Sequence, residues 1–141
     1  MLLCRNPNRF NSIVGVDIDS EATKIANKIT NAWTFDPAII TNITHNANDF
    51  VFNDANAVYI NCSPEHFSST DWFQNLPINC LTCVQSVNII DKNDPWFIKQ
   101  PTPTYDSFLT KYPISNVLYT GVKRIQYDTW GYDRYMIIGR I

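Results

Sequence analysis

Glycine is scarce in this 141-residue chain: Gly15, Gly121, Gly131 and Gly139 are all it has. No two of them can form a G-x-G loop, so these residues hold no glycine-rich cradle for a phosphate or dinucleotide. Long apolar runs are also lacking: none reaches the roughly 18 to 20 residues that a membrane-spanning helix needs. Met1-Leu2-Leu3-Cys4 is too short for a signal-peptide core and ends at Arg5 and Asn6. The expected setting is therefore cytoplasmic, with no membrane partner. Clustered basic charge is missing too. The 11 Lys and Arg are scattered and the net charge is −2, which argues against a nucleic-acid groove as the main surface. Cys80-Leu81-Thr82-Cys83 is formally C-x-x-C, but it enters an apolar strand, and Cys4 and Cys62 stand at irregular distances from it. Reduced thiols and no metal site are expected.

What is present suits one globular domain spanning 1–141. Apolar residues make up 45% and aromatics 13%, enough for a core that buries about two-thirds of the unfolded surface without disulfides. Ser12 to Val16 reads as a short buried strand closed by Asp17 and Asp19. Ser20 reads as the cap of a following helix, with Glu21 in its first turn, where the dipole favours an anion. Ala22, Ile25, Ala26, Ile29 and Trp33 recur at helical spacing and predict one apolar face. Asp36-Pro37 ends that element.

Ala38 to Thr44 is a second strand candidate, and His45 to Asp49 a polar loop. Ala57 to Cys62, AVYINC, is a continuous apolar run of the kind buried on both faces of a parallel sheet. A short helical stretch at Ser69 to Gln74 and a strand at Leu81 to Val87 follow. The polar segment Asp91 to Thr104 carries Pro95, Pro101 and Pro103, and long loops of this kind are often functional. Tyr105 to Lys111 reads as helix. Asn116 to Ile125 and Tyr132 to Ile141 read as a terminal antiparallel hairpin. The expected class is α/β: a mostly parallel sheet with an antiparallel edge.

Polar sets gather at three strand ends. Acids just past a buried parallel strand lie where open α/β sheets bind ligands. Asp17 and Asp19 can accept ribose hydroxyls there, or they can simply serve the helix start. The loop His45, Asn46, Asn48, Asp49, Phe50 can reach a nucleoside base, Asn48 or Asp49 by hydrogen bond and Phe50 by packing, or it can be solvated. Asn61-Cys62-Ser63-Pro64-Glu65-His66-Phe67 follows the third strand directly. Asn61 offers an acceptor and two donors, Ser63 a hydroxyl, and His66 beside Glu65 an acid/base pair; the alternative is a helix start capped by Ser63. Gln85-Ser86 places polar groups toward the end of an otherwise apolar strand.

The segments IVGVDIDSEATKIANKI, NDANAVYINCSPEHF, LTCVQSVN, NVLYTGVKRI and YDRYMIIGRI resemble class I methyltransferases that use S-adenosylmethionine. The resemblance covers most of Phe10 to Ile141 and matches the family's second to seventh strands. It implies a Rossmann-like sheet lacking the usual first strand and the glycine-rich loop after it. Met1 to Asn8 resembles the last turn of the helix that should follow that strand. The resemblance implies that Asp17, with Asp19 as alternative, holds the ribose and that Asn48, Asp49 and Phe50 line the adenine. It also implies that Asn61 to Ser63 meet the methyl acceptor, while Glu65 and His66 orient or deprotonate it.

Two functions follow as expectations. One is S-adenosylmethionine-dependent methyl transfer to a small-molecule or protein acceptor. The other is a non-catalytic remnant that serves as a binding module. A dinucleotide-binding domain ranks lowest, since it too needs the missing glycines. An open strand edge is a template for pairing, so a homo-oligomer or a partner chain supplying the absent strand is expected.

Overall fold

The computed structural model of the chain describes residues 11–32, 40–89 and 98–141. Met1 to Asn8, Trp33, Asp36-Pro37, the first two residues of the Ala38 to Thr44 strand and the first half of the Asp91 to Thr104 segment lie outside them. The element order is β1 (Ile13–Asp17), α1 (Ser20–Ala32), β2 (Ile40–Thr44), β3 (Val58–Asn61), a 3-10 turn (Pro64–His66), α2 (Asp71–Gln74), β4 (Leu81–Val87), α3 (Tyr105–Lys111), β5 (Asn116–Gln126) and β6 (Gly131–Arg140). The elements form two compact units, within residues 1–50 and 51–141.

In the first unit β1 and β2 pair in parallel, from Ile13 opposite Ile40 to Asp17 opposite Thr44. A parallel pair cannot be joined by a tight turn, and α1 supplies the crossover. The cap of α1 is Asp19, not Ser20: its Oδ1 accepts from the Glu21 amide at 2.8 Å, and Ser20 is already the first helical residue. The helix docks through a polar stripe. Asn42 on β2 donates from Nδ2 to Asn27 Oδ1 at 3.0 Å and to Thr30 Oγ1 at 3.3 Å. Gly15 lies opposite Asn42 because a Cβ there would stand 2.6 Å from Asn42 Oδ1. The expected apolar face is only partly used. Ala22 and Ala26 are half-buried, while Ile25 and Ile29 are exposed.

The second unit is a four-stranded sheet in the order β3-β4-β6-β5. β3 and β4 pair in parallel, whereas β4–β6 and β5–β6 are antiparallel. Parallel and antiparallel pairings are thus equal in number, which corrects the mostly parallel sheet expected above. The long terminal hairpin accounts for the difference. Thr82, Val84, Ser86, Tyr135, Ile137 and Gly139 line the buried face. Tyr112, which caps the end of α3, packs on Trp72 and Phe73 of α2, and Phe108 of α3 packs on Tyr112 and Tyr135, through edge and tilted ring contacts. Thr104 and Ser107 start α3 with a reciprocal capping box. On the other face Val58 is 39% and Ile60 51% exposed, so the AVYINC run is not buried on both faces. No described helix is long and apolar enough to cross a membrane.

Candidate functional site

In the first unit the polar groups collect at the carboxyl end of the β1–β2 pair. Asp17 Oδ1 accepts from the Asp19 amide at 2.9 Å, which turns the chain out of β1 and into α1. Asp17 and Asp19 each commit Oδ1 to the main chain in this way. Both residues are exposed, and neither Oδ2 has a partner among the described residues. Two carboxylate oxygens therefore stand free at the sheet edge, and a carboxylate can accept a pair of neighbouring hydroxyls.

The loop after β2 is tied to this edge. The His45 amide donates to the Asp17 carbonyl at 2.8 Å. Asn46 organises the rest. Its Oδ1 accepts from the Asn48 amide at 3.1 Å, its Nδ2 donates to Asp49 Oδ2 at 2.7 Å, and its carbonyl accepts from His45 Nδ1 at 2.9 Å. Asn48 is buried, and Phe50 meets the His45 ring edge-on, with centroids 5.6 Å apart. The loop is a built turn beside Asp17 and Asp19, not a solvated coil. Within this unit the structure therefore brings together all five residues assigned to the cofactor: Asp17, Asp19, Asn48, Asp49 and Phe50.

In the second unit β3 ends in Asn61, whose Oδ1 accepts from the Ser63 amide at 3.0 Å. That bond leaves the Asn61 amide hydrogens without a partner among the described residues. Ser63 is exposed and its hydroxyl makes no cap bond, so it does not start the 3-10 turn in the way a cap would. Pro64 opens the turn with its preset backbone.

Glu65 and His66 then part company. His66 is half-exposed, and its Nε2 lies 3.9 Å from Glu65 Oε1, too far for a hydrogen bond. Glu65 is 3% exposed, and its Oε2 accepts from Ser86 Oγ at 3.1 Å. Ser86 in turn approaches Thr102 Oγ1 at 3.4 Å. The Glu65 carbonyl receives the amides of Lys99 at 2.8 Å and Gln100 at 3.0 Å. Lys111 Nζ donates to the carbonyls of Gln100 at 3.3 Å and Pro101 at 3.2 Å. Burial draws the Lys111 ammonium below its ordinary value, against the opposing pull of Glu65. Burial first, and then the Glu65 charge, pushes the Tyr112 phenol well above its ordinary range.

Glu65 thus anchors the end of the proline-rich segment from inside, and Ser86 faces that anchor, not a ligand edge. Sequence reading singled out Ser86 but missed Thr102 and Lys111, whose signal is only their distance in space from Glu65. Among the described residues no group of His, Cys, Asp or Glu could hold a metal ion.

No protein-family model matches the sequence, and neither does any curated protein. Solved structures do. The N-methyltransferase NodS from Bradyrhizobium japonicum is 9% identical with a TM-score of 0.58, over 92% of this chain and 74% of its own. A SAM-dependent methyltransferase from Leishmania major is 8% identical with a TM-score of 0.60, over 91% of this chain and 55% of its own. LepI, solved in complex with SAM, is 11% identical with a TM-score of 0.58, over 99% of this chain and 39% of its own. The chain spans about half the length of several structures that it matches. These likenesses, at 8–11% identity, show the fold alone: the chain has a mixed α/β fold similar to that of S-adenosylmethionine-dependent methyltransferases.

Proposed function

We propose that the chain forms part of an S-adenosylmethionine-dependent methyltransferase and that its first unit recognises the nucleoside. The observation that carries this reading is the pair of free carboxylate oxygens on Asp17 and Asp19, set beside the turn that Asn46 builds. These groups suit the two ribose hydroxyls, with Asn48, Asp49 and Phe50 at the base. The cofactor, when bound, supplies an electrophilic methyl group on its sulfonium. Transfer of that methyl to a small-molecule or protein acceptor demands alignment above all. Asn61 has amide hydrogens to orient an acceptor, Ser63 has an exposed hydroxyl, and the half-exposed His66 imidazole would take the acceptor's proton. Glu65 acts through its neighbours by holding the turn that carries His66. The four glycines of these 141 residues do not suit the methionine end of the cofactor, which would be held by residues from elsewhere.

A thermal shift of the purified chain with S-adenosylmethionine tests the reading. We expect a rise in melting temperature that Asp17→Ala abolishes. A shift that survives in the Asp17→Ala, Asp19→Ala double variant would show that these carboxylates do not bind the ligand.

A second reading is a non-catalytic binding module. The exposed Val58 and Ile60 on edge strand β3 favour it, because such an edge can take up a strand from a second copy or another chain. Light scattering that shows a stable monomer, in a chain that also gives no nucleoside shift, would remove both readings.

A further inference from the structure

Beyond the turn of the terminal hairpin lies a cluster that the methyltransferase reading does not use. Tyr127, Trp130 and Tyr132 hold their rings nearly parallel. Centroids lie 4.6 Å apart for Tyr127 and Trp130, 5.7 Å for Trp130 and Tyr132, and 6.4 Å for Tyr127 and Tyr132, with interplanar angles of 21°, 23° and 28°. Tyr127 is 49% and Trp130 51% exposed. The rings sit on a fixed turn. The Tyr127 amide donates to the Trp130 carbonyl at 2.8 Å, and the Gln126 side-chain amide donates to the carbonyls of Tyr127 at 2.8 Å and Trp130 at 3.1 Å. A tight hairpin turn does not require three large rings, and leaving aromatic faces in water forgoes their burial.

The sheet face behind the rings adds charge. Register places Ile125 opposite Tyr132, and then Lys123 opposite Arg134, on the face that also carries Tyr119, Gly121, Met136, Ile138 and Arg140. Like charges directly opposite each other cost stability, yet Lys123 and Arg134 have no ion pair among the described residues. Arg134 Nε is moreover buried without a hydrogen-bond partner among them. Their neighbour Arg124, on the opposite face, is paired with Asp133 at 3.2 Å. The strand positions of the Lys123 face, in all four strands, include no carboxylate, although the chain as a whole is net negative. The Tyr119 ring lies along the same face: its hydroxyl is 2.8 Å from where a Gly121 Cβ would stand. From the tip inward Tyr132, the Lys123–Arg134 pair and the Tyr119 ring thus share one face, with successive rows about 7 Å apart by strand geometry. The scatter of basic residues along the sequence concealed this, because the two cations are eleven positions apart and meet only through the hairpin register.

We infer that this face and tip form a docking surface for single-stranded nucleic acid. Unpaired bases stack on Trp130 and Tyr127, and the sugar-phosphate chain crosses Tyr132 to reach Lys123 and Arg134. Stacking needs exposed base faces, which a duplex withholds. The inference stands on the hairpin alone and does not depend on methyl transfer.

The test is fluorescence anisotropy of a short labelled oligothymidine titrated with the full chain. Two phosphate contacts predict a salt slope of roughly −1.4, and Lys123→Ala should reduce it by about 0.7. Trp130→Ala should weaken binding by about tenfold or more, whereas Trp130→Phe should retain most of it. Should Trp130→Ala fail to fold by circular dichroism, Lys123→Glu at an exposed position serves instead and should abolish binding. Absence of binding, equal affinity for a duplex or for heparin, or indifference to these substitutions would overturn the inference. So would a concentration-dependent dimer that Trp130→Ala dissolves, which would make the face a contact between copies.

Discussion

Ser86 donates its hydroxyl to the Glu65 carboxylate across 3.1 Å, and both side chains are sealed from solvent. Glu65 comes from the turn after β3, Ser86 from β4, and Thr102, which completes the cluster, from the approach to α3. Three separate parts of the second unit are thus joined at one buried charge. Removing a partner from a buried carboxylate costs more than an ordinary hydrogen bond contributes, because the charge has no water to replace it.

Ser86→Ala should therefore lower the unfolding free energy by about 1.5–3 kcal/mol. Urea melts followed by circular dichroism measure this directly. Glu65→Gln preserves shape and an acceptor and should cost less than Ser86→Ala. The reverse ranking would mean that the Glu65 charge is satisfied elsewhere and that the cluster does not depend on Ser86.

On the proposed reading, Asn61 and His66 should separate binding from turnover. Neither belongs to the unit that carries Asp17 and Asp19, so Asn61→Ala and His66→Ala should leave the thermal shift with S-adenosylmethionine intact. Loss of alignment at Asn61 should reduce kcat by up to about a hundredfold, and loss of a proton acceptor at His66 by about a hundredfold or more. Release of S-adenosylhomocysteine is the readout. Full turnover in both variants would remove these two residues from the chemistry.

The order of elements was legible in the sequence because each carried its own periodicity. The β4 and α3 limits, Leu81 to Val87 and Tyr105 to Lys111, agree residue for residue with the pattern. Failures occurred where the deciding contact is distant. Asp19 and Ser20 are both good caps, and only the Asp17–Asp19 turn selects the former. Glu65 read as an acid/base partner of His66, yet the 3-10 turn directs it inward to a serine 21 positions away. Val58 and Ile60 read as doubly buried because an apolar run does not reveal whether both faces are covered. The polar groups proposed for the nucleoside could be picked out because they are local, at two strand ends that the parallel register brings side by side.

Alkaline titration should expose the buried phenol of Tyr112. Its folded value lies above the ordinary 10.0, through burial and then the Glu65 charge. The folded state therefore holds this proton more tightly than the unfolded chain does. That contribution to stability is complete below pH 10.0 and is lost as the pH rises from there toward the folded value. Cys80 and Cys83, raised above 9.0 by burial, lose theirs in the same sense from a lower starting point. Lys111, drawn below 10.5, works in the opposite direction over the window beneath that value. Melting temperatures measured across this range should fall, and Tyr112→Phe should flatten the fall above pH 10.0. An unchanged slope in that variant would assign the alkaline loss to the thiols or to Tyr59 and Tyr135, whose phenols burial also raises.

Two glycines of the hairpin should respond differently to the same methyl group. Neither has a positive φ, so the contrast is one of space, not of backbone freedom. At Gly139 a Cβ would lie 2.3 Å from the Asn116 carbonyl oxygen and 2.6 Å from Ile114 Cγ2. The strand Gly139 sits on is held on both sides, by β4 at Thr82 and by β5 at Val117, so the backbone has little room to give. At Gly121 the nearest atom is the Tyr119 hydroxyl at 2.8 Å, the far end of a side chain that can swing away. Gly139→Ala should cost about 1–3 kcal/mol, the usual penalty for overpacking. Gly121→Ala should leave the melting temperature close to that of the parent and displace only the Tyr119 ring. Equal melting temperatures for the two variants would show that β5 can slide away from Gly139, and that the hairpin is held less tightly than its register implies.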